Sequence, residues 1–579
     1  MKIENKSTQS RLEFFKALYE RAKNNSAELY SSLERNMRQY RGSREIDGGE
    51  PALTVRNITY ELIESQVSST IPMPKTDPMS YSERRSRNAE AIERLCRSLR
   101  DKLPFEELND IDERYTYIYG GSVWYADWDN GIIEDGKPGG IRLQCLCPRD
   151  FLPQPGIFSV DDMEYCFLKF TTTRSELKVN YGVSDEKCDL AECEYEYGGE
   201  GDAVNVTVCF YRDEEGRVGR YIFSGDVTLS DIPRYYMRKI RVCKECGEEE
   251  SLCCCGSKAR TFRDLTHEEP RVPSSLLAGN GSADGSDVIR IAYYVPDKFP
   301  IVIRKNTSGE KSLLGQSDCD YIRPEQQAIN KVESRILQKL LRSAITPIMP
   351  EDTNIVANNS VFGQVIKMKP GESASQYGKV DTTPNISQDI AEAERLYDHA
   401  KRIMGISDAF VGVDTGSYAE SGVAKQLRIN QASGRLESKR KMKHTAYSSI
   451  DKILFSLYLA FADEPRRLSY KDAYGEVHSE EFNRYDFIEY DRNRNEYYYE
   501  DGYLFSVDLN GGAEYMREAQ WERNLENLKA GTLGDAQSPT TLLRYWQCQE
   551  RAHYPFAREN VEYFRRAVDE EKRGGESIV

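Results

Sequence analysis

A basic surplus is what this sequence most plainly lacks. Its 579 residues carry 79 Lys and Arg against 95 Asp and Glu, a formal net charge of -16. Proteins that coat nucleic acid are normally basic, so that class is disfavoured, whereas one that surrounds DNA without gripping it is not. Long apolar runs are missing too. The longest covers residues 453–462, too short to cross a bilayer, and no membrane partner is expected. The opening residues contain no apolar core of the secretory type, so the chain is expected to be soluble and intracellular. Histidine is scarce: His267, His399, His444, His478 and His553 are scattered and form no HExxH metal motif. There is no GxxxxGK[ST] phosphate loop, nothing resembling a nucleophile elbow, and no internal repeat. With no catalytic constellation in view, a non-enzymatic role is expected.

What is present reads as a folded chain of more than one compact unit. Hydrophobic residues make up 39% and charged residues 30%, and the length exceeds what one core supports. The fold class expected is α+β, mainly helical. Leu12, Phe15, Leu18, Tyr19 and Ala22 form the apolar stripe of a helix over 9–41, ended by Gly42. Ile58, Leu62, Ile63 and Val67 mark a second helix over 53–70, which Pro72 and Pro74 stop. A charged third helix covers 80–103, carrying Ile92, Leu95 and Leu99. Pro104 breaks it, and a fourth continues to about Tyr119. At Gly120-Gly121 the texture changes. Residues 122–131 read as a strand entering a turn and 141–147 as its partner. Further strands are expected at 164–171, 203–212, 219–227, 289–294 and 300–304. The Pro-, Gly- and Ser-rich stretch 270–286 reads as a surface loop. Strands recur at 466–470 and 484–508, and the chain from 513 is helical in at least two segments split at 531–539.

Fourteen cysteines in a reducing compartment should be reduced or metal-bound rather than disulfide-paired. Cys243-Lys-Glu-Cys246-Gly247 has the form of a zinc knuckle: a tight turn aims two thiolates at one point, and glycine permits close backbone approach. Cys253-Cys254-Cys255-Gly256 offers a second pair nearby, tighter than the usual second knuckle. Cys243, Cys246, Cys253 and Cys255 are therefore candidate ligands of a structural zinc in a ribbon-like insertion at 240–258. Four thiolates would close the shell and leave no place for a catalytic water. Free surface thiols are the alternative. Asp127 and Asp129 could take a divalent cation, or simply sit where a strand meets the Asn130-Gly131 turn. The basic run 438–444 could touch phosphates or form a solvated or intersubunit helix face.

From 321 to about 462 the order is helix, irregular excursion, helix, Gly-rich loop and very long helix. Ile329, Val332, Ile336, Leu340 and Leu341 line the first helix, opened by Pro324 and stopped by Pro347 and Pro350. The second begins near Ile386 and ends at Gly405. Ile386, Ile390, Ala393, Tyr397, Ala400 and Met404 form its apolar face; Asp389, Glu392, Arg395 and Asp398 form a polar one. The loop that follows carries the large side chains Phe410 and Tyr418 and the acids Asp408, Asp414 and Glu420, with no Lys or Arg. Such a loop would crowd DNA without holding its phosphates. A proline-free run of about 40 residues then spans about 60 Å as helix. A bundle or coiled-coil helix in an ordinary oligomer would also account for it.

The chain resembles the portal proteins of tailed bacteriophages, particularly those of long-tailed phages and prophages of Gram-positive hosts. Three stretches carry the resemblance: Tyr119-Gly-Gly-Ser-Val-Trp-Tyr-Ala-Asp-Trp-Asp129, Cys147-Pro-Arg-Asp-Phe-Leu-Pro-Gln-Pro155, and the run from Ser317-Asp-Cys-Asp-Tyr-Ile-Arg-Pro-Glu325 to Ser334. It spans about 10 to 510, and the order of elements is its specific part; the cysteine cluster is not general in the family.

The resemblance implies a homo-oligomeric ring, usually of twelve subunits, at the portal vertex of the virion, assembled in the host cytoplasm. Double-stranded DNA would pass through it without sequence specificity, driven in by the terminase large subunit and released through a head-tail adaptor. Major capsid and scaffolding proteins would be further partners. Residues 1–320 would form the wing, 321–344 and 385–404 the stem helices, and 345–384 the clip. Residues 405–421 would be the tunnel loop, with Asp408, Phe410, Asp414, Tyr418 and Glu420 facing DNA. Residues 422–462 would be the spine, 463–510 a β segment of the wing, and 511–579 the crown. The rival reading is a zinc-ribbon nucleic-acid-processing enzyme or its accessory subunit.

Overall fold

The computed structural model describes residues 8–44, 52–80, 82–188, 190–191, 203–237, 239–244, 262–266, 271–273, 288–342, 345–348, 378–381, 385–406, 422–471, 477–508, 514–551, 554 and 557–575. They are α+β, with helix predominating. In chain order the first elements are α1 (Thr8–Tyr40), α2 (Ile58–Glu64), β1 (Met73–Pro78), α3 (Glu83–Lys102), α4 (Phe105–Tyr119), β2 (Gly121–Glu134), β3 (Lys137–Leu146), β4 (Phe151–Pro153), β5 (Tyr165–Thr173), α5 (Arg174–Tyr181) and α6 (Asp185–Cys188). Then come β6 (Ala203–Arg212), β7 (Val218–Ser224), β8 (Val227–Ile232), β9 (Lys239–Cys243), β10 (Phe262–Thr266), β11 (Arg271–Pro273), β12 (Val288–Arg290), β13 (Ile301–Lys305), α7 (Asp318–Arg342), β14 (Ile345–Ile348), β15 (Gly378–Asp381), α8 (Ser387–Met404) and α9 (Gly422–Phe461). The last are β16 (Arg466–Lys471), β17 (Val477–Phe482), β18 (Ile488–Asp491), β19 (Glu496–Tyr499), β20 (Tyr503–Asp508), α10 (Glu514–Lys529), α11 (Pro539–Arg551) and α12 (Ala557–Gly575). Two compact units result, one of Met1–Leu33, Val67–Gln316 and Glu437–Val579, the other of Glu34–Gln66 and Ser317–Leu436.

In the larger unit, an antiparallel sheet of order β4-β5-β6-β7-β8 takes α1 on one face. The period-two alternation of strands decides which residues meet the helix. Phe167, Cys209, Tyr211, Tyr221 and Phe223 pack with Leu12, Phe15, Tyr19 and Ala22, while Leu168, Val208, Phe210 and Ile222 belong to the main core behind. Phe15 stacks on Tyr221 at 4.3 Å between ring centroids. Each such buried ring contributes roughly 1.5–3 kcal/mol.

A second sheet, β13-β2-β3, lies over the C-terminal part of α9. Trp124 meets Tyr447 edge-on at 5.5 Å and Trp128 meets Tyr458 at 5.4 Å. The β2–β3 turn falls at Asp135-Gly136, both at positive φ, the conformation that tight hairpins require. The Asn130-Gly131 pair, read from the sequence as the turn, is instead a register irregularity within the hairpin.

Two other sequence expectations shift. The helix expected over 53–70 is only α2, because Asn57 caps it by accepting from the Tyr60 backbone N–H at 3.1 Å. Pro74, expected as a helix stop, sits with Pro78 in β1, which pairs antiparallel with β20. Among the described residues each of these strands has a single partner, which is where proline is tolerated. Among the described residues the C-terminal region has three helices, with Gln549 of α11 donating to the Trp521 carbonyl of α10 at 3.3 Å.

The smaller unit centres on Ile58, Leu62, Ile322, Ile329, Ala400, Met404 and Ile406, all buried. α7 starts at Asp318, so Pro324 lies inside its early turns rather than opening it. The Gln326 amide is fully used: it accepts from the Thr59 N–H and hydroxyl, both at 3.0 Å, and donates to the Arg56 carbonyl and Asn330. Between α7 and α8 the chain returns through a two-stranded ladder, with Ile345 opposite Asp381.

Candidate functional site

Two regions were candidates from the sequence: the helix–ladder–helix stretch with the loop after it, and the cysteine cluster. In the first, α7 and α8 pack side by side. Asp389, in the first turn of α8 and 5% exposed, accepts from Lys339 and Arg335 of α7. Those two hydrogen bonds, that of Lys339 foremost, hold its carboxyl below the ordinary aspartate range. Nearer the other end, His399 meets Glu325 at 3.0 Å. The outward acids of α8 are answered one turn on: Glu392 by Arg395 at 2.6 Å and Asp398 by Lys401 at 2.8 Å. Apolar side chains are not all used. Ala393, Ala400 and Met404 are buried, but Ile390 is 47% exposed, and Leu341 of α7 is 73% exposed. The single apolar face read for α8 therefore splits, and the unit's own core covers only part of it.

The larger unit holds a site that sequence reasoning missed, a sealed cluster of four charges where α4, β2, β13 and α9 meet. Asp112 Oδ1 accepts from Trp124 Nε1 at 2.8 Å and from the Ser122 hydroxyl, and its Oδ2 takes Arg304. Glu113 Oε1 takes Arg304 at 2.7 Å and Lys443 at 3.1 Å, while its Oε2 accepts the Ser68 backbone N–H at 3.0 Å. Lys443 also donates to the Thr70 carbonyl at 2.8 Å. Tyr447, one turn on, donates to Asn109 at 2.9 Å. Burial pushes Glu113 up, but Arg304 and Lys443 outweigh it and leave the carboxyl below its ordinary value. Burial lowers Lys443, against the pull of Glu113. Two anions and two cations make the cluster neutral, as burial demands. Beside it Arg100 meets Asp451 at 2.7 Å, and burial, opposed by Arg100, pushes Asp451 up to about 6.

The basic run 438–444 is thereby largely accounted for. Lys443 is in the cluster, Lys439 lies over the Tyr117 ring at 4.9 Å, and Lys441 pairs with Glu437 at 2.9 Å. The Asp127 and Asp129 carboxylates are likewise taken by guanidinium groups. Arg220 meets Asp127 at 2.7 Å, and Arg142 meets Asp129 at 2.5 Å. Tyr235 also donates to Asp127, and Asp129 accepts the Gly131 N–H at 2.8 Å. Both carboxylates are thus engaged by the protein's own groups, inside β2 rather than at the hairpin turn.

Cys243 is buried at the end of β9, opposite Phe262 of β10. The ladder thus closes at its base a segment containing the other four cysteines. Cys246, Cys253 and Cys255 lie outside the described residues, as do Asp408, Phe410, Asp414, Tyr418 and Glu420. Among the described residues no group of three or more His, Cys, Asp or Glu side chains is placed to hold a metal ion. No described helix is long and apolar enough to cross a membrane. Comparison of the sequence with protein-family models and with curated proteins gives no match.

Proposed function

We propose that this protein is a phage portal subunit, which forms a ring-shaped channel at one capsid vertex. The ring would serve DNA packaging, head-tail attachment and DNA ejection, and would do no catalysis of its own. The observation that carries the reading is one of order. A helix of 25 residues, a two-stranded ladder, a helix of 18, a segment over 407–421 and a helix of 40 residues follow one another. In this reading α7 and α8 are the stem, the ladder is the root of the clip, 405–421 is the tunnel loop, α9 is the spine and α10 to α12 are the crown. The exposed Ile390, Ile403, Leu340 and Leu341 are then surface that neighbouring subunits would cover. The i,i+3 pairing of acids on α8 leaves few free cations to hold phosphates, which suits DNA that must slide.

The partners of this reading are a terminase, a head-tail adaptor, capsid and scaffolding proteins, and further copies of the chain, twelve in the usual ring. A structural zinc on Cys243, Cys246, Cys253 and Cys255 is part of the proposal; the β9–β10 ladder, which brings the two ends of that segment together, supports it. Negative-stain imaging of the purified chain is the test. Rings with a central hole are the expected outcome, and monomers or dimers at high concentration would overturn it in favour of a zinc-ribbon accessory subunit or other scaffold.

A further inference from the structure

The outer edge of the three-stranded sheet is partly exposed at Ile303 and Lys305. Among the described residues β13 pairs only with β2. The Ala126 N–H donates to the Pro300 carbonyl at 3.0 Å, and the Asn306 N–H to the Gly120 carbonyl at 2.9 Å. Antiparallel pairing alternates, so the even-numbered residues face β2. The backbone N–H and C=O groups of Ile301, Ile303 and Lys305 face the other way. Among the described residues nothing hydrogen-bonds to them. Polar backbone left without partners beside apolar surface is costly, and open edges are normally blunted by outward charges, proline or a covering element.

Here the outer edge forms one wall of a cleft of 520 Å³. The α9 wall contributes Ser449, Lys452, Ile453 and Ser456, and Tyr236 and Phe299 add apolar surface. Several polar groups in the cleft are already engaged. Lys298 pairs with Asp161 at 2.7 Å, Tyr294 donates to Asp501 at 3.0 Å, and Lys305 Nζ donates to the Ser312 carbonyl at 3.1 Å. The charged groups of Lys452 and Asp297 have no hydrogen-bond or ion-pair partner among the described residues.

We infer that this edge is a docking site for an extended segment of another polypeptide, which adds to the sheet as a fourth strand. Main-chain hydrogen bonds to Ile303 and Lys305, the two partly exposed positions, would supply the affinity, and the cleft the selectivity; Ile301, 4% exposed, is covered by the core. The occupant is a stretch of about five residues, a usual strand length. It has apolar side chains at alternate positions, an acid to meet Lys452 and a base to meet Asp297. The inference stands apart from the portal reading, since it uses only the larger unit's sheet and cleft.

The test selects a random short-peptide display library on the full chain, then reads residue-resolved amide exchange with and without the enriched peptides. In the free chain the Ile303 and Lys305 amides should exchange fast and those of Val302 and Arg304 slowly. Enriched peptides should show alternating apolar residues and slow the two fast amides. Ile303→Pro removes an outward donor without breaking an internal bond, and should weaken binding about tenfold or more. Ile303→Thr, which keeps the amide, should retain it. Failure to enrich any peptide, or binding indifferent to Ile303→Pro, overturns the proposal. So does protection of these amides in the free chain: concentration-dependent protection would assign the edge to a second copy, and concentration-independent protection to the chain's own residues.

Discussion

Replacement of Arg304 by methionine should cost the larger unit roughly 3–5 kcal/mol, the usual loss when one member of a buried ion pair is removed. Arg304 is 2% exposed and reaches Asp112 and Glu113, themselves buried, so no water can substitute for its guanidinium. Methionine keeps much of the apolar stem but leaves Lys443 alone against two carboxylates. Asp112 retains its Trp124 and Ser122 donors, and Glu113 retains Lys443 and the Ser68 N–H. One negative charge is then uncompensated, and one carboxylate takes up a proton more readily folded than unfolded. A folded-state pKa raised in this way gives stability that is complete below the unfolded value and lost as pH rises through the folded one. The gap between variant and parent should therefore be wide near neutral pH and narrow toward about pH 4, near the unfolded carboxylate value. Adding Asp112→Asn removes the surplus charge and should recover about 2 kcal/mol as a coupling in the double-mutant cycle. Denaturant unfolding followed by tryptophan fluorescence is the assay, since Trp124 sits in the cluster. A loss below about 1 kcal/mol, or one of equal size at both pH values, would refute the buried-cluster account.

Asp451, raised to about 6 from 3.8 by burial, gives stability that is complete below the unfolded value. That stability falls by about 3 kcal/mol as pH rises through 6. Asp451→Asn should flatten the pH dependence of unfolding across that window, and an unchanged slope would contradict it. At Gly315 a Cβ would stand 2.5 Å from the Thr307 carbonyl oxygen and 2.8 Å from that of Gly120; Gly315→Ala should cost roughly 1–3 kcal/mol by the same denaturation assay. Deletion of 408–418 should leave ring assembly intact while impairing DNA packaging or retention, and loss of the fold would show instead that the segment is core. Elemental analysis should find about one zinc per chain, falling in a Cys246→Ser, Cys253→Ser variant; less than about half an equivalent in the parent would remove zinc from the proposal.

What the sequence disclosed was what local pattern encodes. The α1 stripe is legible because Leu12, Phe15, Tyr19 and Ala22 recur at helical spacing and all four are buried. β6 is legible because its alternating residues serve two cores at once. Errors arose where a local signal lost to a longer-range one. Asn130-Gly131 is a strong hairpin signal, yet the turn lies at Asp135-Gly136, because the strand pairing continues past the irregularity to Glu134 opposite Lys137. Pro74 argues against a strand, but among the described residues β1 pairs with no strand other than β20. The charge cluster had no local signal at all. Arg304 is 192 residues from Asp112, and Lys443 read as one of several cations in a basic run. Nothing in the spacing told which of them would be buried.

The cluster also bears on why α9 is built as it is. Its C-terminal part is apolar nearly all round, with Tyr447, Ile450, Leu454, Phe455, Leu457, Tyr458, Leu459 and Ala460 all buried, the pattern of a helix inside a core rather than on its surface. A helix surrounded by apolar neighbours could slip or rotate at little cost, since apolar contacts are not directional. Lys443 and Asp451 are directional, each needing one partner, Glu113 and Arg100, at hydrogen-bond distance. A slip of one turn moves a helix by about 5.4 Å and would break both pairs at once, leaving buried charges uncompensated. Buried ion pairs add little net stability over apolar replacements, so register is the role that these two can fill. In the proposed portal, a spine that must hold its place while DNA moves past has most to gain from such pins.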